Sequence, residues 1–246
     1  MTKQPARVYG TRARIALMVP SPNTVAETEF WTMAPAGVTV HTSRMPFFGD
    51  RHARPFDAME AALPRVFEEV STARPDVIAY GCTASSARGN PAEVEARLTA
   101  QAGTPTVTAA GALVDALAVL GARRIVLLTP YPQAVNDKER KFFAENGITV
   151  LDDESVIVDE GQHAFRNMSA VPCDVLTERA VARSDRDDVD AVVLSCCDMP
   201  TLDAIGHIEG RTGLPVISST QALFWKAART AGLDDAVADA GRLLAA

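Results

Sequence analysis

The sequence predicts an α/β fold with two pseudo-symmetric lobes, each a four-stranded parallel sheet flanked by helices, and an active site in the interlobe cleft. Two observations predict it. Short apolar runs alternate with stretches of helical periodicity along the 246 residues, which is the pattern of parallel sheets covered by helices. The second half of the chain also repeats the first half, and each half contains enough apolar runs for four strands.

The repeat is clearest when the sequence is shifted by 110 residues. Residues 15–40 then align with residues 125–150, and ten of these 26 positions are identical. A second pair of segments, offset by 114, reads DVIAYGC at 76–82 and DAVVLSC at 190–196. The offset returns to 110 near the end of each half. An offset that persists through several strand patterns indicates an internal duplication.

The elements follow the same order in both halves, strand and helix in alternation. The expected strands are 14–19, 38–42, 76–81 and 105–108, then 124–129, 148–151, 190–195 and 214–218. The clearest helical patterns are 58–73, 92–103, 110–121 and 220–232. Glycines occupy the expected helix C-caps, at Gly103, Gly121, Gly147, Gly213 and Gly232. The segment 152–189 is the least regular, and we expect it to cover the cleft.

Composition and charge exclude several classes of function. A net charge of −7 without a Lys/Arg-rich stretch argues against nucleic-acid binding. No apolar run approaches the ~18 residues of a membrane-spanning helix, and no signal peptide is recognisable. Four cysteines without a secretory signal predict reduced thiols in the cytoplasm. Their spacing matches no zinc pattern, so neither a metal nor a cofactor is expected. The sequence is compatible with a homo-oligomer.

The repeated motif places a cysteine just beyond the end of a buried strand in each half, at Cys82 and Cys196. Ligands of open α/β sheets bind at this edge, and a following helix N-terminus lowers a thiol's pKa. A lone cysteine is usually a small buried hydrophobe. Two cysteines at equivalent strand ends instead indicate two thiols that face one substrate.

A second constellation is formed by the loops that follow the first strand of each half. They read VPSPNT at 19–24 and TPYPQA at 129–134. Asn23 offers amide donors and Tyr131 a hydroxyl, both suited to a carboxylate oxygen. Backbone N–H groups near Thr83 and its counterpart Cys197 can serve the same purpose. Neither loop contains a nucleotide-binding glycine motif.

Together these motifs resemble a known family. PSPNTVAETE, YGCTASS and the C-x-D-M-P-T-L run that begins at Cys196 are similar to the maleate cis–trans isomerase branch of the aspartate/glutamate racemase superfamily. That branch also contains arylmalonate decarboxylases, in which glycine typically occupies the position of Cys82. The resemblance implies that Asn23, Tyr131 and an asparagine ahead of the second cysteine bind carboxylates, and Asn167 matches the last by spacing. Asp198 stands where a glutamine-like residue is usual, which puts the exact substrate in question.

The resemblance also implies an activity and a lobe arrangement. The expected reaction is cofactor-independent isomerisation of maleate to fumarate, in which Cys82 forms a covalent adduct and Cys196 transfers a proton. The closing helix is expected to return to the first lobe, which would comprise 1–109 and 220–246, while 110–219 form the second lobe. Two alternatives remain open: a two-cysteine racemase or epimerase acting on an amino-acid, hydantoin or ectoine-related carboxylate, and a non-catalytic carboxylate-binding protein.

Overall fold

The computed structural model describes residues 7–48, 55–156 and 167–245. The strands of the described chain are β1 (Ala13–Pro20), β2 (Val38–Met45), β3 (Val77–Tyr80), β4 (Thr106–Thr108), β5 (Arg124–Thr129), β6 (Thr149–Ser155), β7 (Ala191–Leu194) and β8 (Val216–Ser218). The helices are α1 (Ala26–Met33), α2 (Pro55–Ser71), α3 (Thr83–Ser86), α4 (Pro91–Ala102), α5 (Ala109–Val119), α6 (Gln133–Glu145), α7 (Cys173–Arg183), α8 (Leu202–Thr212), α9 (Ser219–Thr230) and α10 (Arg242–Ala245). All eight predicted strands are present, and the predicted α/β class is confirmed.

The strands form two four-stranded parallel sheets, in the orders β2-β1-β3-β4 and β6-β5-β7-β8. In each sheet the first strand of the half lies between the second and third strands, so the direction of winding reverses beside it. Such a reversal opens a crevice at the carboxyl ends of the strands. The loops after β1 and β3 therefore meet at one crevice, and those after β5 and β7 meet at the other.

The aspartate that begins each repeated motif holds the start of its strand. Asp76 accepts a hydrogen bond from the backbone N–H of Arg14 at 2.8 Å, and Asp190 accepts one from the N–H of Arg124 at 2.8 Å. Each carboxylate thus ties the third strand of its half to the first. The two halves therefore share this contact as well as the aspartate that makes it.

Helices α5 and α9 lie between the two sheets and pack against one another and against β4 and β8. Helix α9 also packs on α1 and β3 of the first half. Residues of both halves consequently share one hydrophobic core, while the outer face of each sheet has a core of its own. Because α5 and α9 each contact both sheets, the division into lobes at 109 and 220 stays a prediction.

The irregular segment and the end of β6 differ from the sequence expectation. The segment 152–189 contains the end of β6, a single 3₁₀ turn at 168–170 and all of α7. Strand β6 continues past its apolar run because Asp153 and Glu154 form ion pairs with arginines. Residues 157–166, part of the expected cleft cover, lie outside the described residues. All five predicted C-cap glycines adopt positive φ, between 66° and 78°.

None of the described helices is long and apolar enough to cross a membrane.

Candidate active site

The loops that follow β1, β3, β5 and β7 converge on one small pocket, whose cavity volume is about 50 Å³. Six of the seven predicted site residues line this pocket, namely Asn23, Cys82, Thr83, Tyr131, Cys196 and Cys197. The remaining lining residues are Pro20, Pro22, Phe47, Phe56, Gly81, Ala84, Met168 and Asp198. No lysine or arginine is among these described lining residues.

Cys82 is buried, at 8% exposure, and directly precedes the short helix α3. Its backbone carbonyl accepts hydrogen bonds from the Ser86 hydroxyl at 2.8 Å and the Ser85 hydroxyl at 3.3 Å. Burial raises the pKa of the Cys82 thiol, because a thiolate is poorly solvated there, while hydrogen bonds from the hydroxyl and N–H of Ser85 oppose the rise.

Cys196 lies in a different environment, although its sequence position is equivalent. Its sulfur accepts a hydrogen bond from the backbone N–H of Asp198 at 3.2 Å and lies 3.8 Å from the Met168 sulfur. Burial, followed by the nearby Asp198 carboxylate, raises the pKa of the Cys196 thiol well above its ordinary value, and a hydrogen bond with Tyr131 opposes the rise. Of the two thiols, Cys196 is therefore the more strongly held in its neutral form.

Thr83 and Cys197, which occupy equivalent positions in the two halves, contact each other. The Thr83 hydroxyl lies 3.6 Å from the Cys197 sulfur and donates a hydrogen bond to Ser219 at 2.9 Å. This contact between repeat-related residues marks the pseudo-twofold axis of the duplication. Cys82 and Cys196 each precede one member of the pair, so they flank the axis. Burial raises the pKa of the Cys197 thiol, which suits a structural side chain.

Asn23 fixes the loop after β1 and keeps one amide hydrogen for a ligand. Its side-chain oxygen accepts hydrogen bonds from the N–H groups of Val25 and Ala26, at 3.2 and 3.0 Å, where α1 begins. Its amide nitrogen donates to the carbonyl of Cys197 at 2.9 Å. A primary amide has two hydrogens, so the second can serve an oxygen in the pocket.

Tyr131 occupies the corresponding loop of the second half and is buried, at 4% exposure. Its backbone N–H donates to the Thr129 hydroxyl at 3.1 Å, and its phenol is hydrogen-bonded to Cys196. Burial raises the pKa of the Tyr131 hydroxyl well above its ordinary value, so the phenol remains a donor.

Asn167 is not among the pocket-lining residues. It is half-buried and immediately precedes the 3₁₀ turn, whose first residue, Met168, lines the pocket instead. Its role in substrate binding stays a prediction.

Sequence reasoning missed the apolar walls of the pocket and the place of Asp198 in it. Phe47 follows the carboxyl end of β2, and this position could have predicted that Phe47 lines the pocket. Asp198 accepts a hydrogen bond from the backbone N–H of Thr24 at 2.8 Å. Burial raises the pKa of the Asp198 carboxyl to about 6, so its charge changes close to neutral pH.

Comparison with known proteins identifies the family of this fold and site. The model of the arylmalonate decarboxylase family matches residues 55–244. The maleate isomerase of Geobacillus stearothermophilus is 32% identical over 248 residues, which cover 94% of this chain and 96% of that protein. This chain belongs to the arylmalonate decarboxylase family.

Solved structures of the family agree with this assignment. A cysteine-to-alanine variant of the maleate isomerase of Pseudomonas putida S16, determined with maleate, superposes with a TM-score of 0.87 at 29% identity, and the match covers 95% of this chain and 97% of that chain. A cysteine-to-serine variant of the Nocardia farcinica maleate cis-trans isomerase carries a covalently bound succinylcysteine intermediate. It superposes with a TM-score of 0.84 at 30% identity and covers 94% and 98% of the two chains. The resemblance indicated by the sequence motifs is confirmed.

Proposed function

We propose that this protein isomerises maleate to fumarate through a covalent cysteine adduct, without a cofactor. The observation that carries the proposal is that two thiols, Cys82 and Cys196, lie at repeat-related strand ends and line one small pocket. A carbon–carbon double bond does not rotate at a useful rate. A temporary bond from a nucleophile to one of its carbons removes that obstacle.

The reaction consists of an addition, a rotation and an elimination, after which the product leaves. The Cys82 thiolate adds to C2 of maleate, and the Cys196 thiol gives its proton to C3. The C2–C3 bond of the resulting succinyl thioether is single and rotates. The Cys196 thiolate then takes a proton from C3, the C2–S bond breaks with its electron pair returning to Cys82, and fumarate leaves.

The assignment of roles follows from the two thiol environments. The nucleophile must be a thiolate while the partner is a thiol. Both sulfurs accept hydrogen bonds that favour a thiolate, but at Cys196 the Asp198 carboxylate adds to the effect of burial, and the pKa of that thiol is raised further. Cys82 is therefore easier to ionise, and Cys196 keeps the proton that C3 requires.

Neutral donors of the pocket are suited to the substrate carboxylates. The second amide hydrogen of Asn23, the Tyr131 hydroxyl and backbone N–H groups near Thr83 and Cys197 can bind them and stabilise the charge that develops during addition. Walls such as Phe47, Phe56 and Met168 exclude water, which strengthens these hydrogen bonds.

The activity is tested by proton NMR of the native protein with maleate in deuterated buffer. Fumarate is expected to appear, and Cys82→Ala and Cys196→Ala are each expected to reduce turnover by on the order of 10³-fold or more. Cys173→Ala is the matched control, because this cysteine lies at the start of α7 and does not line the pocket. Near-native turnover in either active-site variant would contradict the mechanism.

The assignment of the nucleophile is tested by mass spectrometry after incubation with maleate. The Cys196→Ser variant lacks the thiol that assists breakdown of the adduct, so a succinyl adduct is expected on the peptide that contains Cys82. An adduct confined to Cys196 in the Cys82→Ser variant would reverse the roles.

A small dicarboxylate is thus the partner that we propose for the pocket, and the cytoplasm is the proposed location. Support for the location comes from the four cysteines, all of which are free thiols as expected in a reducing compartment.

A further inference from the structure

A buried carboxyl group lies behind the second thiol, and none of the described residues gives it a charged partner. Glu139, on α6, is 1% exposed. One of its oxygens accepts a hydrogen bond from the Ser195 hydroxyl at 2.6 Å. The other has no hydrogen-bond partner among the described residues. A half-satisfied carboxyl in the interior is destabilising, so its presence calls for a reason other than packing.

The duplication supplies an internal comparison, because Glu29 occupies the equivalent position of the first half. One oxygen of Glu29 accepts hydrogen bonds from the backbone N–H groups of Thr201 and Leu202, at 2.7 and 2.9 Å, where α8 begins. Glu29 therefore has a structural task in capping a helix. Glu139 accepts no such pair of backbone hydrogen bonds in the described chain.

The partner of Glu139 links it to the active site. Ser195 is fully buried and directly precedes Cys196. The equivalent residue of the first half is Gly81, where a Cβ atom would lie 3.2 Å from both the Met18 carbonyl oxygen and a Val19 methyl group. The first half therefore has little room for a serine at this position. The Ser195–Glu139 pair consequently makes the residues next to the two site cysteines chemically different in the two halves.

Among the described residues around Glu139, no cation neutralises it. A negative charge on Glu139 acts on Cys82 and on Tyr131, raising the pKa of each. Arg140, the next residue of α6, forms an ion pair with Asp153 instead. The charge of Glu139 would thus be felt mainly by groups of the reaction pocket.

We propose, given the isomerase function above, that Glu139 is a positioning residue that acts through Ser195, stays neutral during turnover and suppresses the Cys82 thiolate when it ionises. While neutral, it orients Ser195 and adds no charge to the site. When ionised, it places a second negative charge near the pocket and makes the Cys82 thiolate harder to form.

The direction of the pH effect follows from burial. Burial raises the pKa of the Glu139 carboxyl to about 8, and the hydrogen bond from Ser195 opposes the rise. Glu139 is therefore neutral below about pH 8 and charged above it. Formation of the Cys82 thiolate is expected to increase activity as the pH rises, until ionisation of Glu139 limits that increase.

The test compares the pH profiles of kcat/KM for the native protein, Glu139→Gln and Ser195→Ala. The native profile should level off near pH 8, whereas that of Glu139→Gln should continue to rise and reach about three- to tenfold higher values one to two units above that point. Ser195→Ala removes the hydrogen bond that favours the ionised carboxyl, so its profile should level off at higher pH. Glu29→Gln is the matched control and should keep the native shape.

A second readout does not depend on isomerase activity. The rate at which iodoacetamide alkylates Cys82, followed by peptide mass spectrometry, reports its thiolate fraction. Above about pH 8 this rate should be higher in Glu139→Gln than in the native protein. Superimposable alkylation profiles would overturn the inference. If the native protein does not act on maleate but its Cys82 is alkylated at a different rate from that of Glu139→Gln, the proposed function is wrong, whereas the coupling between Glu139 and Cys82 is supported. If Glu139→Gln does not fold, an unshifted Ser195→Ala profile overturns the inference.

Discussion

The two site cysteines illustrate how a duplicated sequence yields residues with different chemistry. Cys82 and Cys196 follow equivalent strands, yet Cys82 is hydrogen-bonded to Ser85 while Cys196 contacts Asp198, Tyr131 and Met168. The difference arises because the chain enters a helix directly after Cys82 but turns for several residues after Cys196. One cysteine can thus be a thiolate while the other is a protonated thiol at the same pH.

Asp198 should make binding of a dianion dependent on pH. Its pKa is raised by burial to about 6, so above that pH a bound dicarboxylate meets a third negative charge. Affinity for succinate, which has no double bond to react, should fall about three- to tenfold as the pH rises across this value. In Asp198→Asn the fall should be smaller. Calorimetric titration of both proteins measures the difference, since the ligand's own ionisation is common to them.

The control for this measurement is Asp203→Asn, because Asp203 is exposed on α8 and does not line the pocket. Its pH dependence should match that of the native protein. Equal pH dependence in Asp198→Asn and the native protein would rule out a role for Asp198 in selecting the charge of the ligand.

The sequence alone was sufficient to predict which principal residues share the site, but not which residues surround them. The motifs that contain Cys82, Cys196, Asn23 and Tyr131 are local, and the carboxyl ends of parallel strands must meet at one edge. Met168 could not be predicted, because the path of an irregular segment depends on contacts distant in sequence. Glu139 had a visible signal, its identity with Glu29 in the repeat, but that one of its oxygens lacks a partner among the described residues can be seen only in the packed structure.

At the level of elements, apolar periodicity placed the strands well and their ends less well. Strand β2 continues to Met45 and β6 to Ser155, beyond the expected ends at 42 and 151. Both are edge strands, where polar and charged side chains can be solvated or paired. The hydrophobic pattern therefore ends before the backbone ladder does.

The cap that α1 provides for α8 should contribute measurably to stability. Glu29 is 7% exposed and accepts two backbone hydrogen bonds across the two halves. Glu29→Ala leaves the buried N–H of Thr201 and the partly buried N–H of Leu202 without this acceptor, which should lower the free energy of unfolding by about 2–4 kcal/mol. Glu29→Gln keeps an acceptor and should lose less. Urea denaturation of the variants measures these losses.

Glu27→Ala is the comparison on the same helix. The Glu27 side chain is 41% exposed and its ion pair with Arg44 spans 3.5 Å, so the loss should stay below about 1 kcal/mol. Equal losses for Glu27→Ala and Glu29→Ala would mean that the cap contributes nothing beyond helix propensity.

The whole molecule is held together by a core to which both halves contribute. Helix α9 follows the last strand of the second half but packs on α1 and β3 of the first. At this contact the Phe30 and Phe224 rings meet edge to face, with centroids 5.4 Å apart. A duplicated sequence predicts two similar halves. The duplication alone does not predict that α9 crosses to the first half, because its apolar face could equally pack on its own sheet; the family resemblance was what led to that expectation.

The shared core leads us to expect that the two halves unfold as one unit. Phe224 is 1% exposed, and Phe224→Ala should lower the free energy of unfolding by about 3–5 kcal/mol through lost burial and a cavity. Val119→Ala on α5, where Val119 is 66% exposed, should change it by less than about 0.5 kcal/mol. Scanning calorimetry should give a single transition for the native protein, with equal calorimetric and van't Hoff enthalpies. Two resolved transitions, only one of which responds to Phe224→Ala, would mean that the halves are thermodynamically separate and that α9 stabilises just one of them.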